Sequence, residues 1–176
     1  IFEGKAGLWD IVGRFDWPDL GGAPRRICGT HIKCFPVNYH GQSAVWAALE
    51  LRPQVSIDDI AAIRVEGYHS SVEEMASDPA HWSPQSHETA DHSMPYAVAT
   101  ALLDGEITPA SFSEAKLKDP RAARLMRLTT VAESPELTAQ FPASAPCRRA
   151  DRRWHRDSGR RAAGHPFPWC GRNGTT

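Results

Sequence analysis

The chain has 176 residues, 41% of them hydrophobic and 23% charged. That is enough for one domain with a buried core and excludes disorder throughout. The net charge of −1 divides unevenly: residues 147–176 carry eight arginines against two aspartates, hence +6, and residues 1–146 carry −7. So acidic a body argues against a nucleic-acid binder but leaves room for an anionic substrate held by local cations.

Residues 1–20 predict a short helix near Lys5–Val12, then a loop through Trp17-Pro18. Gly21-Gly22-Ala23-Pro24 predicts a turn. Ile27 to Phe35 reads as a strand ended by Pro36. Ser43 to Leu51 reads as a helix with Val45, Ala48 and Leu49 on one face, stopped by Pro53. From Ile60 to Tyr68, Ala61, Ile63 and Val65 alternate with Ala62, Arg64 and Glu66, as in a strand with one buried face. Ser70 and Ser71 can cap a short helix through Ala76, and Asp78 to His87, with two prolines, reads as an ordered loop.

Met94 to Leu103 carries the strongest helical pattern. Ser93 is a suitable N-cap, Pro95 falls in the first turn, and Gly105 follows the end. Met94, Ala97, Val98, Ala101 and Leu102 form its apolar stripe. Pro109 to Lys116 and Pro120 to Leu128 predict two more helices, and Thr129 to Ala132 the start of a strand. Helices and strands mix without regular βαβ spacing, so the predicted class is α+β.

Residues 147–176 hold no Leu, Ile, Val, Met, Lys or Glu, and so lack the aliphatic side chains of a packed element. Two readings remain open: a basic tail for an anionic surface, or GC-rich DNA translated out of frame. The second is favoured, and predicts that another frame restores an aliphatic continuation. The start, Ile1-Phe2-Glu3-Gly4, has neither an initiator Met nor the character of a signal or transit peptide, and is expected to continue from a longer chain. No apolar run approaches the roughly 18–20 residues of a membrane helix. Cys28, Cys34, Cys147 and Cys170 form no Cys-x-x-Cys pair and predict free thiols in a reducing, cytoplasmic setting.

Two constellations could carry chemistry. The first runs from Thr30 through His31, Lys33, Asn38, Tyr39 and His40 to Gln42, where the predicted strand gives way to a helix. Lys33 can hold a carboxylate, His40 can act as acid or base near neutral pH, and Asn38 and Gln42 can donate to carboxylate oxygens. A polar loop before a capped helix has the same composition. The second runs from Glu88 through Asp91, His92 and Ser93 to Tyr96. Asp91 can orient an imidazole or accept a proton, and the dipole of the following helix disfavours protonated His92. Tyr96 lies off the apolar stripe, so its hydroxyl is expected to face a cleft; ordinary capping and packing explain the same residues. No His-Glu-x-x-His, paired-cysteine, Gly-rich phosphate-loop or Gly-x-Ser-x-Gly pattern occurs, so neither metal nor cofactor is expected.

Taken together, Thr30-His31-Ile32-Lys33 with Phe35-Pro36, Tyr39-His40-Gly41-Gln42-Ser43-Ala44-Val45, Asp91-His92-Ser93-Met94-Pro95-Tyr96, and Leu102-Leu103-Asp104-Gly105 with Ile107-Thr108-Pro109 resemble the MmgE/PrpD family, in order and spacing, across residues 1–135. The resemblance implies the C-terminal portion of a metal-free lyase. Residues 1–146 would form its α+β lid, with a segment of about 88–128 that belongs to the larger helical domain. It implies dehydration of 2-methylcitrate or a similar hydroxy tricarboxylate, with decarboxylase, isomerase or epimerase chemistry as the family's alternatives. An inactive remnant is the further alternative for this isolated chain. The implied partners are a small tricarboxylate substrate and a second copy of the full-length parent, with no nucleic acid and no membrane. The implied catalytic residues are Lys33, His40, Asp91, His92 and Tyr96, with Asn38 and Gln42 binding substrate.

Overall fold

A computed structural model describes residue 3, residues 7–14 and 32–141, and the backbone of residues 147–148. The chain divides into two compact units, residues 1–32 and 33–176. Within the first, helix α1 spans Leu8–Val12 and ends at Gly13, whose φ of +78° suits a residue without a Cβ. Lys5, the expected start of this helix, lies outside the described residues, as do the turn at 21–24 and residues 27–31.

The second unit is α+β, as expected. Its helices are α2 (Gln42–Leu51), α3 (His69–Ala76), α4 (His87–Asp91), α5 (Met94–Asp104), α6 (Glu114–Leu117), α7 (Pro120–Arg127) and α8 (Pro135–Thr138). Its strands are β1 (Ile63–Gly67), β2 (Thr129–Glu133) and β3 (Cys147–Arg148), in the sheet order β2-β1-β3. β1 runs parallel to β2, with Val65 opposite Val131, and antiparallel to β3. The backbone of residues 147–148 pairs with Gly67 and Glu66.

Helix α5 is the centre of the unit. Ser93 Oγ accepts the Tyr96 amide, Pro95 occupies the first turn, and Gly105 closes the helix at φ +74°. Every residue from Met94 to Leu102 is buried, well beyond the predicted stripe. Ala97, Ala99 and Ala101 let neighbouring elements approach on several sides, and α2 and α7 both pack against it. In β1, Ile63 and Val65 face the core while Arg64 is exposed, so the predicted alternation holds over these positions. Gly67 is a required glycine: a Cβ there would collide with Ser71 Oγ, which donates to the Tyr68 carbonyl at 2.7 Å.

Three expectations change. Ile32 to Phe35 are not strand but coil and bend. Asp78 to His87 includes a 3-10 turn at Pro79–Trp82 and the first residue of α4. Ser86 and Thr89 cap α4 reciprocally, with Thr89 N donating to Ser86 Oγ and Ser86 N to Thr89 Oγ1. The predicted helix at Pro109–Lys116 is interrupted by Ser113, whose ψ of 154° separates a 3-10 turn at Pro109–Phe112 from α6. Arg124 on α7 fastens the loop before β1 by donating to the carbonyls of Ile57, Asp58 and Ile60. Among the described residues no helix is long and apolar enough to cross a membrane.

Candidate active site

The segment that leads into α2 is shaped by Gln42. The amides of Cys34 and Phe35 donate to Gln42 Oε1 at 2.9 and 3.0 Å, and Nε2 donates to the carbonyls of Phe35 and Val37 at 2.9 and 3.2 Å. One side chain thus supplies partners that a neighbouring strand would otherwise provide, which is why Ile32 to Phe35 form a loop. Gln42 is 6% exposed, and both of its donors and two acceptor positions are used. The expectation that it binds substrate is therefore replaced: it organises the loop that carries Lys33. Lys33 itself is exposed, one residue before the anchored Cys34. His31 lies outside the described residues.

Asn38 caps the turn that follows. Its Oδ1 accepts the His40 amide at 2.9 Å, and its own amide donates to the Asp91 carbonyl at 2.8 Å. That second bond ties the two constellations together across 53 residues of sequence. The Asn38 carboxamide oxygen is committed to the cap, and the expected donation to a carboxylate would come from its Nδ2.

His40 is partly buried, with Nδ1 2.6 Å from the hydroxyl of Tyr68. Tyr68 is 1% exposed, stacks on Phe141 at 4.6 Å, and meets the His40 ring edge-on at 5.5 Å. Burial pushes His40 below the ordinary imidazole value of 6.5, and the nearby charge of Glu74 opposes that only in part. The sequence reading missed Tyr68. Its position one residue beyond β1 was visible, but its pairing with a side chain 28 positions earlier was not.

His92 is tuned the other way. Its Nδ1 lies 2.6 Å from Asp91 Oδ1 and 3.0 Å from the Glu88 carbonyl. Burial lowers its affinity for a proton, but the hydrogen bonds to Asp91 and Glu88, with the charges of both, outweigh it and raise the pKa above 6.5. The dipole of α5 alone would disfavour the cation, as the sequence predicts, but His92 is also the C-cap of α4, where carbonyls converge and a positive charge is favoured.

Tyr96 corrects another expectation. It is 1% exposed, and its hydroxyl donates to the Ser111 carbonyl at 2.8 Å. Burial pushes the phenol above its usual value of 10. It fastens the 3-10 turn at 109–112 to α5. Tyr96→Phe is expected to leave that carbonyl unpaired and cost about 1–3 kcal/mol in urea unfolding; an unchanged midpoint would show that the bond contributes nothing.

His69 is exposed and pairs with Glu133 at 3.0 Å on the rim of the sheet. Ser93 Oγ also donates to the His81 carbonyl, which holds the loop before α4 against α5. Among the described residues no three His, Cys, Asp or Glu side chains gather where they could hold a metal ion.

The class of protein these features define is an α+β domain that carries two imidazoles tuned in opposite directions and an exposed lysine. Such a set can move protons and bind an anion. The chain belongs to the MmgE/PrpD family: residues 35–168 match the MmgE/PrpD C-terminal domain, a span that continues into the Arg-rich segment. It is 30% identical over 117 residues to a 2-methylcitrate dehydratase from Cupriavidus necator. That match covers 61% of this chain and 22% of the relative, so the chain corresponds to about a fifth of that protein's length.

Proposed function

We propose that this domain is part of a hydro-lyase that dehydrates 2-methylcitrate or a similar hydroxy tricarboxylate. The observation that carries the reading is the opposite tuning of His40 and His92, on segments joined by the bond from Asn38 N to Asp91 O. Between their two values His92 is protonated and can act as an acid, while His40 is neutral and can hydrogen-bond the substrate. The family match and the name of the relative from Cupriavidus necator supply the substrate class.

In the reaction a C–H bond and a neighbouring C–OH bond break, a C=C bond forms, and water leaves. His92, oriented by Asp91, is proposed to protonate the departing hydroxyl. Lys33 is proposed to pair with a substrate carboxylate, and His40 to act at the carbon that loses its proton or at the charge developing beside it. Tyr96 supports this arrangement from within the core. The working protein is proposed to be a cytoplasmic homodimer that needs neither metal nor nucleotide cofactor.

The test is product analysis by the whole polypeptide with 2-methylcitrate, citrate and their decarboxylated analogues. Accumulation of the unsaturated tricarboxylate without carbon dioxide is expected. Evolved carbon dioxide would instead assign a decarboxylase, and inverted stereochemistry without loss of water an epimerase. Absence of all three would overturn the proposal.

A further inference from the structure

The His40–Tyr68 contact bears on which nitrogen of the imidazole carries its proton. Tyr68 Oη lies 2.6 Å from His40 Nδ1, so one of the two atoms donates to the other. A phenol is a good donor and, with its lone pair delocalised into the ring, a weak acceptor, while an unprotonated imidazole nitrogen accepts well. The Tyr68 ring cannot swing away, because it is 1% exposed and stacked on Phe141. His40 is held in turn by the cap of its own amide on Asn38.

We infer that Tyr68 donates to His40 Nδ1 and so holds His40 as the Nε2–H tautomer, which makes it a hydrogen-bond donor to substrate rather than the base that takes the proton from carbon. Tyr68 is thus a positioning residue that acts through His40. This refines the dehydratase reading and rests on it only for the identity of the substrate. An Nε2–H aimed at a carboxylate oxygen of the substrate would stabilise the enolate-like charge that forms when the carbon loses its proton. No proton leaves the imidazole in that role, and removal of the carbon-bound proton falls to another group. The neutral state fits the surroundings: burial favours it, Glu74 is the charged group acting against it, and Tyr39, Tyr68 and Phe141 supply the aromatic contacts.

The experiment is a long-range proton–nitrogen NMR spectrum of the 176-residue chain, with the His40 signals assigned by their loss in His40→Gln. At a pH above its titration, His40 is expected to show a pyridine-like Nδ1 and a pyrrole-like Nε2. A pyrrole-like Nδ1 would overturn the inference, whatever any variant does. Tyr68→Phe keeps the ring that stacks on Phe141 and removes the hydroxyl. It is expected to mix the tautomers and to move the His40 midpoint upward, because the neutral form loses a partner. An unchanged tautomer ratio in that variant would equally overturn the inference. Neither readout needs substrate. The expected spectra without turnover would therefore sink the dehydratase reading alone, and dehydration with a protonated Nδ1 would sink the present inference alone.

Discussion

Replacing Gln42 by Leu is expected to destabilise the domain by about 3 kcal/mol or more, the largest loss for any single side chain at the site. Four hydrogen bonds converge on its carboxamide: two amides donate to Oε1, and Nε2 donates to two carbonyls. Leucine keeps approximate volume but offers no polar partner. Each buried backbone group left unpaired costs about 1–3 kcal/mol, and water can reach only part of this loop to soften the loss. Gln42→Glu separates the two halves of the amide. It keeps an acceptor for Cys34 and Phe35 but sets a carboxylate oxygen against the carbonyls of Phe35 and Val37, so it too is expected to lower the urea midpoint at neutral pH. Equal stability of wild type and Gln42→Leu would mean that the loop before α2 holds its shape without this residue. The loop would then carry Lys33 through chain stiffness at Pro36 alone.

How much of this site could be read from residues depends on the range of each contact. The Ser93 cap, Pro95 and Gly105 act within one helix, and α5 appears where they place it. The alternation of Ile63 and Val65 likewise predicts the buried face of β1. Gln42 reads from the sequence as a polar candidate for substrate binding, but a side chain that replaces strand partners for a loop eight residues earlier has no periodic signature. The strand expected over Ile27 to Phe35 failed over its described residues for that reason: apolar residues before a proline suit a strand or a well-anchored loop equally. The role of Tyr96 was inferred from its angle off an apolar stripe. That inference holds for a helix with one solvent face and fails for α5, which is buried from Met94 to Leu102. The short α4 was missed because its cap is Ser-x-x-Thr rather than the commoner Ser-x-x-Glu, and its omission reversed the predicted electrostatics of His92. Lys33, His40, Asp91 and His92 were chosen on chemistry, and the structure sets their segments side by side through a backbone bond that no side-chain pattern encodes.

His92→Gln in the whole polypeptide is expected to cut turnover by roughly a hundred- to ten-thousand-fold, the usual contribution of one acid–base group. The sign of the accompanying pH dependence follows from its surroundings. Burial lowers its pKa, but the hydrogen bonds and charges of Asp91 and Glu88 outweigh that and raise it above 6.5, so the imidazole keeps its proton to a higher pH than a free one would. If the protonated form is the working one, kcat/KM falls as pH rises through that raised value, and this limb vanishes in His92→Gln. Asp91→Asn supplies the finer test. It removes the charge and weakens the 2.6 Å bond to Nδ1 but leaves the Glu88 carbonyl in place. The alkaline limb should therefore move towards lower pH while the rate at acidic pH is largely kept. A merely structural role for Asp91 would lower the rate evenly at every pH, and an alkaline limb that survives His92→Gln would assign that titration to another residue. Tyr68→Phe leaves His92 and its partners Asp91 and Glu88 in place and is expected to keep this alkaline limb, so its loss in His92→Gln and its survival in Tyr68→Phe tell the two imidazoles apart.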